Sequence, residues 1–141
     1  MNGRFPFVKQ HKYPHMRPED IKPWERFIEK QPDFYDSVDY DYRVGRGRNY
    51  PNVDEEWLRR DFFLLTQLRI DAVGYRGNEV HIIEVKPVVN VTALGQVIAY
   101  TLLYHELHPD VIDIVPVIIA GDAMPDVQHA AEQMGVQIFL V

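Results

Sequence analysis

Apolar and polar positions alternate along "SVDYDYRV", residues 37–44, with Val38, Tyr40, Tyr42 and Val44 in one phase and Asp39, Asp41 and Arg43 in the other. A period of two is that of a half-buried strand. Gly45 and Gly47 end it. Upstream, "PEDIKPWERFIEKQ" sets Trp24, Phe27 and Ile28 at helical spacing behind acidic residues, so a helix is predicted with Pro23 tolerated near its start. Downstream, "FFLLTQLRIDAVGY" and "NEVHIIEVKP" read as two strands of a hairpin, joined through the turn-forming group Arg76, Gly77 and Asn78. Pro87 is expected to stop the second strand.

From Thr92 to Leu107 the chain has the length and apolar spread of a helix buried on more than one side, with Thr92 as its cap. "DIVPVIIAG" is a β-branched strand whose Pro116 suits an edge or bulge position. "MPDVQHAAEQMG" predicts a closing helix, with Pro125 in its first turn and Gly135 as its stop, and "VQIFLV" a last strand. The order helix, three strands, helix, strand, helix, strand predicts an α/β layer fold. An antiparallel meander comes first, and crossover helices then return later strands in parallel, so the sheet is mixed.

At 141 residues the chain is sized for one domain, and its 46% hydrophobic content supplies a core. Residues 1–18, punctuated by Pro6, Pro14 and Pro18, read as an extended basic arm whose tip is mobile or partner-bound, ahead of a domain over residues 19–141. There is no cysteine, which excludes disulfides and thiolate metal sites. No apolar run approaches the ~20 residues of a membrane span, and the N-terminus lacks the apolar stretch of a signal peptide. A cytoplasmic protein without membrane contact is the expectation.

The net charge of -6 argues against attraction of nucleic acid by the surface as a whole. Its distribution changes that picture. Residues 1–18 contain no Asp or Glu but carry Arg4, Lys9, Lys12 and Arg17, and a second basic cluster is Arg43, Arg46 and Arg48. The polar connection from Arg46 to Arg60 is long for a compact domain, and such connections are often functional.

Three charges interrupt the apolar hairpin. Side chains alternate on a strand, so Val80, Ile82, Glu84 and Lys86 share one face while His81, Ile83 and Val85 share the other. Hairpin pairing brings Asp71 beside Glu84 at the ~5 Å spacing of cross-strand neighbours. Two adjacent carboxylates repel, and a cation between them is the natural remedy. Oxygen ligands suit Mg²⁺ or Mn²⁺, which take one or two carboxylates and leave the other positions to water and substrate phosphate. Phosphate-ester chemistry follows, with Lys86 orienting a nucleophile or stabilising developing charge. His105 and His108 suit solvent or the helix dipole better than zinc.

Asp71 followed by "EVK" at residues 84–86, in this order of elements, resembles the PD-(D/E)XK nuclease superfamily, with its restriction-endonuclease-like α/β core. Residues 95–100, "GQVIAY", are similar to the Q-x-x-x-Y element of the RecB-type and Holliday-junction-resolvase-like branches. Ile70 stands where the motif's proline would be. The resemblance implies a metal held by Asp71, Glu84 and the Val85 carbonyl, with Lys86, Gln96 and Tyr100 completing the catalytic set and Glu25 as an accessory acid. It implies Mg²⁺ or Mn²⁺ as cofactor and DNA as partner. Arg43, Arg46, Arg48, Arg59 and Arg60 flank the active edge of such a fold and are the expected phosphate contacts. The alternative is a silent nuclease-like module that binds nucleic acid or builds a larger assembly, viral ones included. Its arm would then contact a protein partner or a second copy of the chain.

Overall fold

A computed structural model describes residues 2–45 and 68–141. Helix α1 spans Pro18–Lys30, strand β1 Ser37–Val44, β2 Leu68–Arg76, β3 Glu79–Val89, helix α2 Val91–Leu107, β4 Ile114–Ala123, α3 Pro125–Gln133 and β5 Gln137–Leu140. The strands form one sheet in the order β1-β2-β3-β4-β5. β1, β2 and β3 run antiparallel, and β4 and β5 join in parallel. This is the α/β layer fold with a mixed sheet that the element order predicts, αβββαβ with a closing αβ.

Two apolar layers sandwich the sheet. On one side Trp24 and Phe27 of α1 pack on Val38, Tyr40, Ile83, Val85, Val117 and Ile119. On the other, Val97, Tyr100 and Tyr104 of α2, with Val127 and Ala131 of α3, cover Val73, Val80, Ile82 and Ile118. Burial of each large side chain contributes about 1.5–3 kcal/mol, so both faces of the central strands are fixed by packing. The alternation predicted for β3 is what separates Ile82 from Ile83.

The sequence pattern misplaces several features. The N-terminal residues do not reach away from the body: Phe5 bridges to Val38, Phe7, Tyr13 and Met16 are buried, and Arg4 pairs with Asp39. Aromatic contacts of Phe7 with Trp24, Phe27 and Tyr35 hold the arm down. Pro87 does not end β3, because pairing to β2 has already stopped at Ala72↔Ile83 and the β4 ladder skips from Lys86↔Ala120 to Val88↔Asp122. No N–H is needed there. The α2 cap is Asn90, whose side chain accepts the Ala93 N–H at 2.8 Å. α2 buries one face, leaving Val91 and Leu102 well exposed.

β1 departs from simple alternation. Val38 and Tyr40 face α1, whereas Tyr42 and Val44 face α2, and the switch occurs at Asp41, whose φ is +51°. β2 switches opposite it, since Ile70 faces α2 and Ala72 faces α1. The ladder has rungs Tyr40↔Ala72 and Tyr42↔Ile70 but none between Asp41 and Asp71. At Asp71, therefore, β2 loses both neighbours at once. Pro116 lies where expected, on a stretch of β4 that pairs with β3 before the β5 ladder begins at Val117.

Candidate active site

The site forms where β2 and β3 separate. Their register puts Asp71 opposite Glu84, one rung beyond the last pair, Ala72↔Ile83. Freed from the ladder, the Asp71 carboxylate accepts the Val85 backbone N–H at 2.9 Å. Glu84 is 3% exposed, and its Oε1 lies 3.5 Å from Lys86 Nζ. Burial, then the charge of Asp71, pushes the Glu84 carboxyl up to about 9, with Lys86 opposing. Such a group holds a proton at neutral pH unless a cation compensates it.

Two elements close over these acids. Tyr100 is raised by burial and by the charges of Glu84 and Asp71, which places its hydroxyl in their field. Gln96, one turn earlier, interacts with Tyr100 and keeps its Oε1 buried without a hydrogen-bond donor. From the opposite layer comes Asp20, in the first turn of α1 and 6% exposed. Its carboxyl is raised by burial and by Asp71, and lowered by Lys86 and Arg17.

The structure thus brings together Asp71, Glu84, Val85, Lys86, Gln96 and Tyr100. It does not bring Glu25. That side chain accepts a hydrogen bond from the Tyr13 hydroxyl at 2.9 Å, on the arm side of α1. Five residues separate it from Asp20, about 140° around a helix, so the two cannot serve one cleft. The acid that sequence reading missed is Asp20; its signal was an acidic residue one turn before Trp24, in phase with the apolar stripe. Arg43 lines a 480 Å³ hollow between the arm and β1 with Arg4, Phe5 and Asp41. Arg46, Arg48, Arg59 and Arg60 lie outside the described residues.

The donor set fits a hard divalent cation. Glu84 Oε2 and Gln96 Oε1 are both buried without a hydrogen-bond partner, and once Glu84 gives up its proton the buried charge needs a cation beside it. Among the described residues no group of three or more His, Cys, Asp or Glu converges to hold a metal. His81 is sequestered on the other face, bonded to Tyr35 Oη at 2.9 Å and Glu79 at 3.1 Å, and burial lowers its pKa. His108 meets the Tyr42 hydroxyl at 2.7 Å. Two carboxylates and a backbone carbonyl suffice for Mg²⁺ but not for zinc.

Comparison with solved structures finds a similar fold. A structure of an EndoMS complex with double-stranded DNA is similar with a TM-score of 0.51 and 10% identity, over 95% of this chain and 48% of that one. A repair endonuclease from Pyrococcus abyssi is similar with a TM-score of 0.49 and 11% identity, over 90% and 49%. The chain spans about half the length of each. At these identities the likeness is one of fold. No family model and no curated protein matches the sequence. Among the described residues no helix is long and apolar enough to cross a membrane.

Proposed function

We propose that this domain is a metal-dependent nuclease that hydrolyses DNA phosphodiesters. The observation that carries the reading is the register that sets Asp71 opposite Glu84 at the opening between β2 and β3, beside Lys86, with Glu84 Oε2 and Gln96 Oε1 both buried and unpartnered. Asp71, Glu84 and the Val85 carbonyl would hold Mg²⁺ or Mn²⁺. When bound, the ion supplies the charge that acidifies a water and neutralises the phosphate. Lys86, only 26% exposed at its side chain, orients the attacking water and stabilises charge on the phosphoryl oxygens. Gln96 and Tyr100 position substrate and Lys86 from α2. Asp20 adds a second negative group on the α1 side, and Arg43 with the arginines at 46, 48, 59 and 60 contributes backbone contacts.

The competing reading, a silent module seated in an assembly through its arm, is weakened because the arm packs on its own body. Cleavage of linear, circular, single-stranded and branched DNA with Mg²⁺ or Mn²⁺ tests the proposal. Wild type should cut at least one substrate while Asp71→Ala and Lys86→Ala do not. Equal products from all three proteins, or none from wild type, would sink it.

A further inference from the structure

We infer that the outer stripe of α1, Lys22, Arg26 and Lys30, is a phosphate-backbone track that carries the DNA strand away from the acid centre. The inference rests on the nuclease reading and adds a substrate surface to it.

Three residues four apart fall on one stripe of a helix, about 6 Å from one to the next along the axis. All three are exposed. Among the described residues none forms a hydrogen bond or ion pair, although α1 also contains Glu19, Asp20, Glu25 and Glu29. The arm accounts for much of that separation. Glu29 is taken by Lys9 and Glu25 by the Tyr13 hydroxyl, both on the arm side of the helix. Asp20 turns inward to Asp71 and Lys86. Glu19 alone stays near the stripe, in the first turn, where it complements the helix dipole. A helix of mixed charge in an acidic protein is thereby left with a cationic outer edge.

The stripe meets the edge of the site at Arg26. Arg26 Nη2 lies 3.2 Å from where a Cβ on Gly121 would sit, and the Pro87 carbonyl lies 3.1 Å from the same point. Gly121 is opposite Pro87 in the β3–β4 register, next to the Lys86↔Ala120 rung. With a glycine at 121 the guanidinium rests closely on the sheet beside the residue after Lys86. The neighbouring Asp122 bonds the Ala123 N–H and not Arg26. Two base-pair rises of about 3.4 Å are close to the step between successive cations, so a duplex backbone laid along α1 meets them in turn.

The test is anisotropy of a labelled DNA duplex without divalent metal, over a salt series, with wild type, the triple variant Lys22→Gln/Arg26→Gln/Lys30→Gln, and Arg76→Gln on the distant hairpin turn. Each phosphate contact contributes ~0.9 to the slope of log K against log salt, so the triple variant should lose about 2–3 of slope and roughly 10- to 100-fold in affinity near 0.1 M salt. Arg76→Gln should match wild type. All three positions are exposed, so thermal melting should be unchanged, which separates a track from a packing role. If wild type binds or cuts DNA and the triple variant does so with equal affinity and slope, the track is refuted and the nuclease reading stands. If wild type neither binds nor cuts DNA, both fall.

Discussion

Val85 donates its backbone N–H to the Asp71 carboxylate across the gap where the β2–β3 ladder has ended. One contact fixes the acid of the first strand to the residue between Glu84 and Lys86 of the second. The orientation of Asp71 therefore depends on backbone and not on a mobile partner, which is how a site keeps its geometry before substrate arrives.

Replacing Asp71 by Asn should separate chemistry from architecture. The amide oxygen can still accept the Val85 N–H, while the charge that raises Glu84 disappears. Cleavage should fall by at least ~10²-fold, the scale on which loss of one electrostatic partner acts. At pH 9 and above, where Glu84 is ionised, the metal-free protein should melt at a higher temperature than wild type. A lower melting temperature would show that the carboxylate pair is not repulsive.

Stability without metal should decline as pH rises. A carboxyl whose folded pKa is raised binds more protons in the native state, so its contribution is complete below the unfolded value and is lost as pH climbs to the folded one. For Glu84 that window runs from its ordinary 4.5 to about 9, and Asp20 shifts in the same direction. Melting scans in a chelating buffer should show the decline. Glu84→Gln should flatten it, and added Mg²⁺ or Mn²⁺ should reverse it, because the cation binds the ionised pair more tightly as protons leave.

The arm should be part of the folded unit. Phe7 is 5% exposed among Trp24, Phe27 and Tyr35, so Phe7→Ala should cost about 3–5 kcal/mol, the range for deleting a buried aromatic side chain. Equilibrium denaturation measures it. An arm that only waits for a partner would show a change near zero.

The element order, the mixed sheet and the face shared by Glu84 and Lys86 were legible because each rests on a local period. What escaped depends on contacts between distant segments. Nothing local in "VDYDYRV" reveals that Asp41 adopts a positive φ and turns Tyr42 to the other face. Glu25 and Asp20 differ on paper only in phase with the apolar stripe, and their long-range partners, Asp71 and Lys86 for Asp20 and Tyr13 for Glu25, decide between them. Pro87 appeared terminal because a sequence does not show that its neighbours leave its N–H position unpaired. The α2 cap was misread by two residues for a similar reason, since Asn90 follows directly on β3.

That cap gives a direct check on α2. Asn90→Ala should destabilise the protein by about 1 kcal/mol, the usual loss for an N-cap side chain. At this size the corresponding fall in Tm is about 2–4 °C. Thr92→Ala, at an exposed position inside the first turn, should change Tm by much less. Equal falls would mean that the helix begins later than Val91.

Gln96 gives the sharpest contrast between stability and function. Its Oε1 is buried without a donor, and removing an unsatisfied buried acceptor in favour of an apolar group of similar shape is neutral or stabilising. Gln96→Leu should therefore melt at or above the wild-type temperature. If the amide serves substrate and Lys86, the same variant should lose cleavage by roughly 10²-fold, the scale for one positioned polar group. Tyr100→Phe removes a hydroxyl held in the field of Glu84 and Asp71, so it should cost less activity than Gln96→Leu while leaving the packed ring in place. A Gln96→Leu protein that is less stable yet fully active would place the amide in the scaffold. A more stable and inactive one would mean that the buried acceptor is kept for the reaction at the expense of the fold.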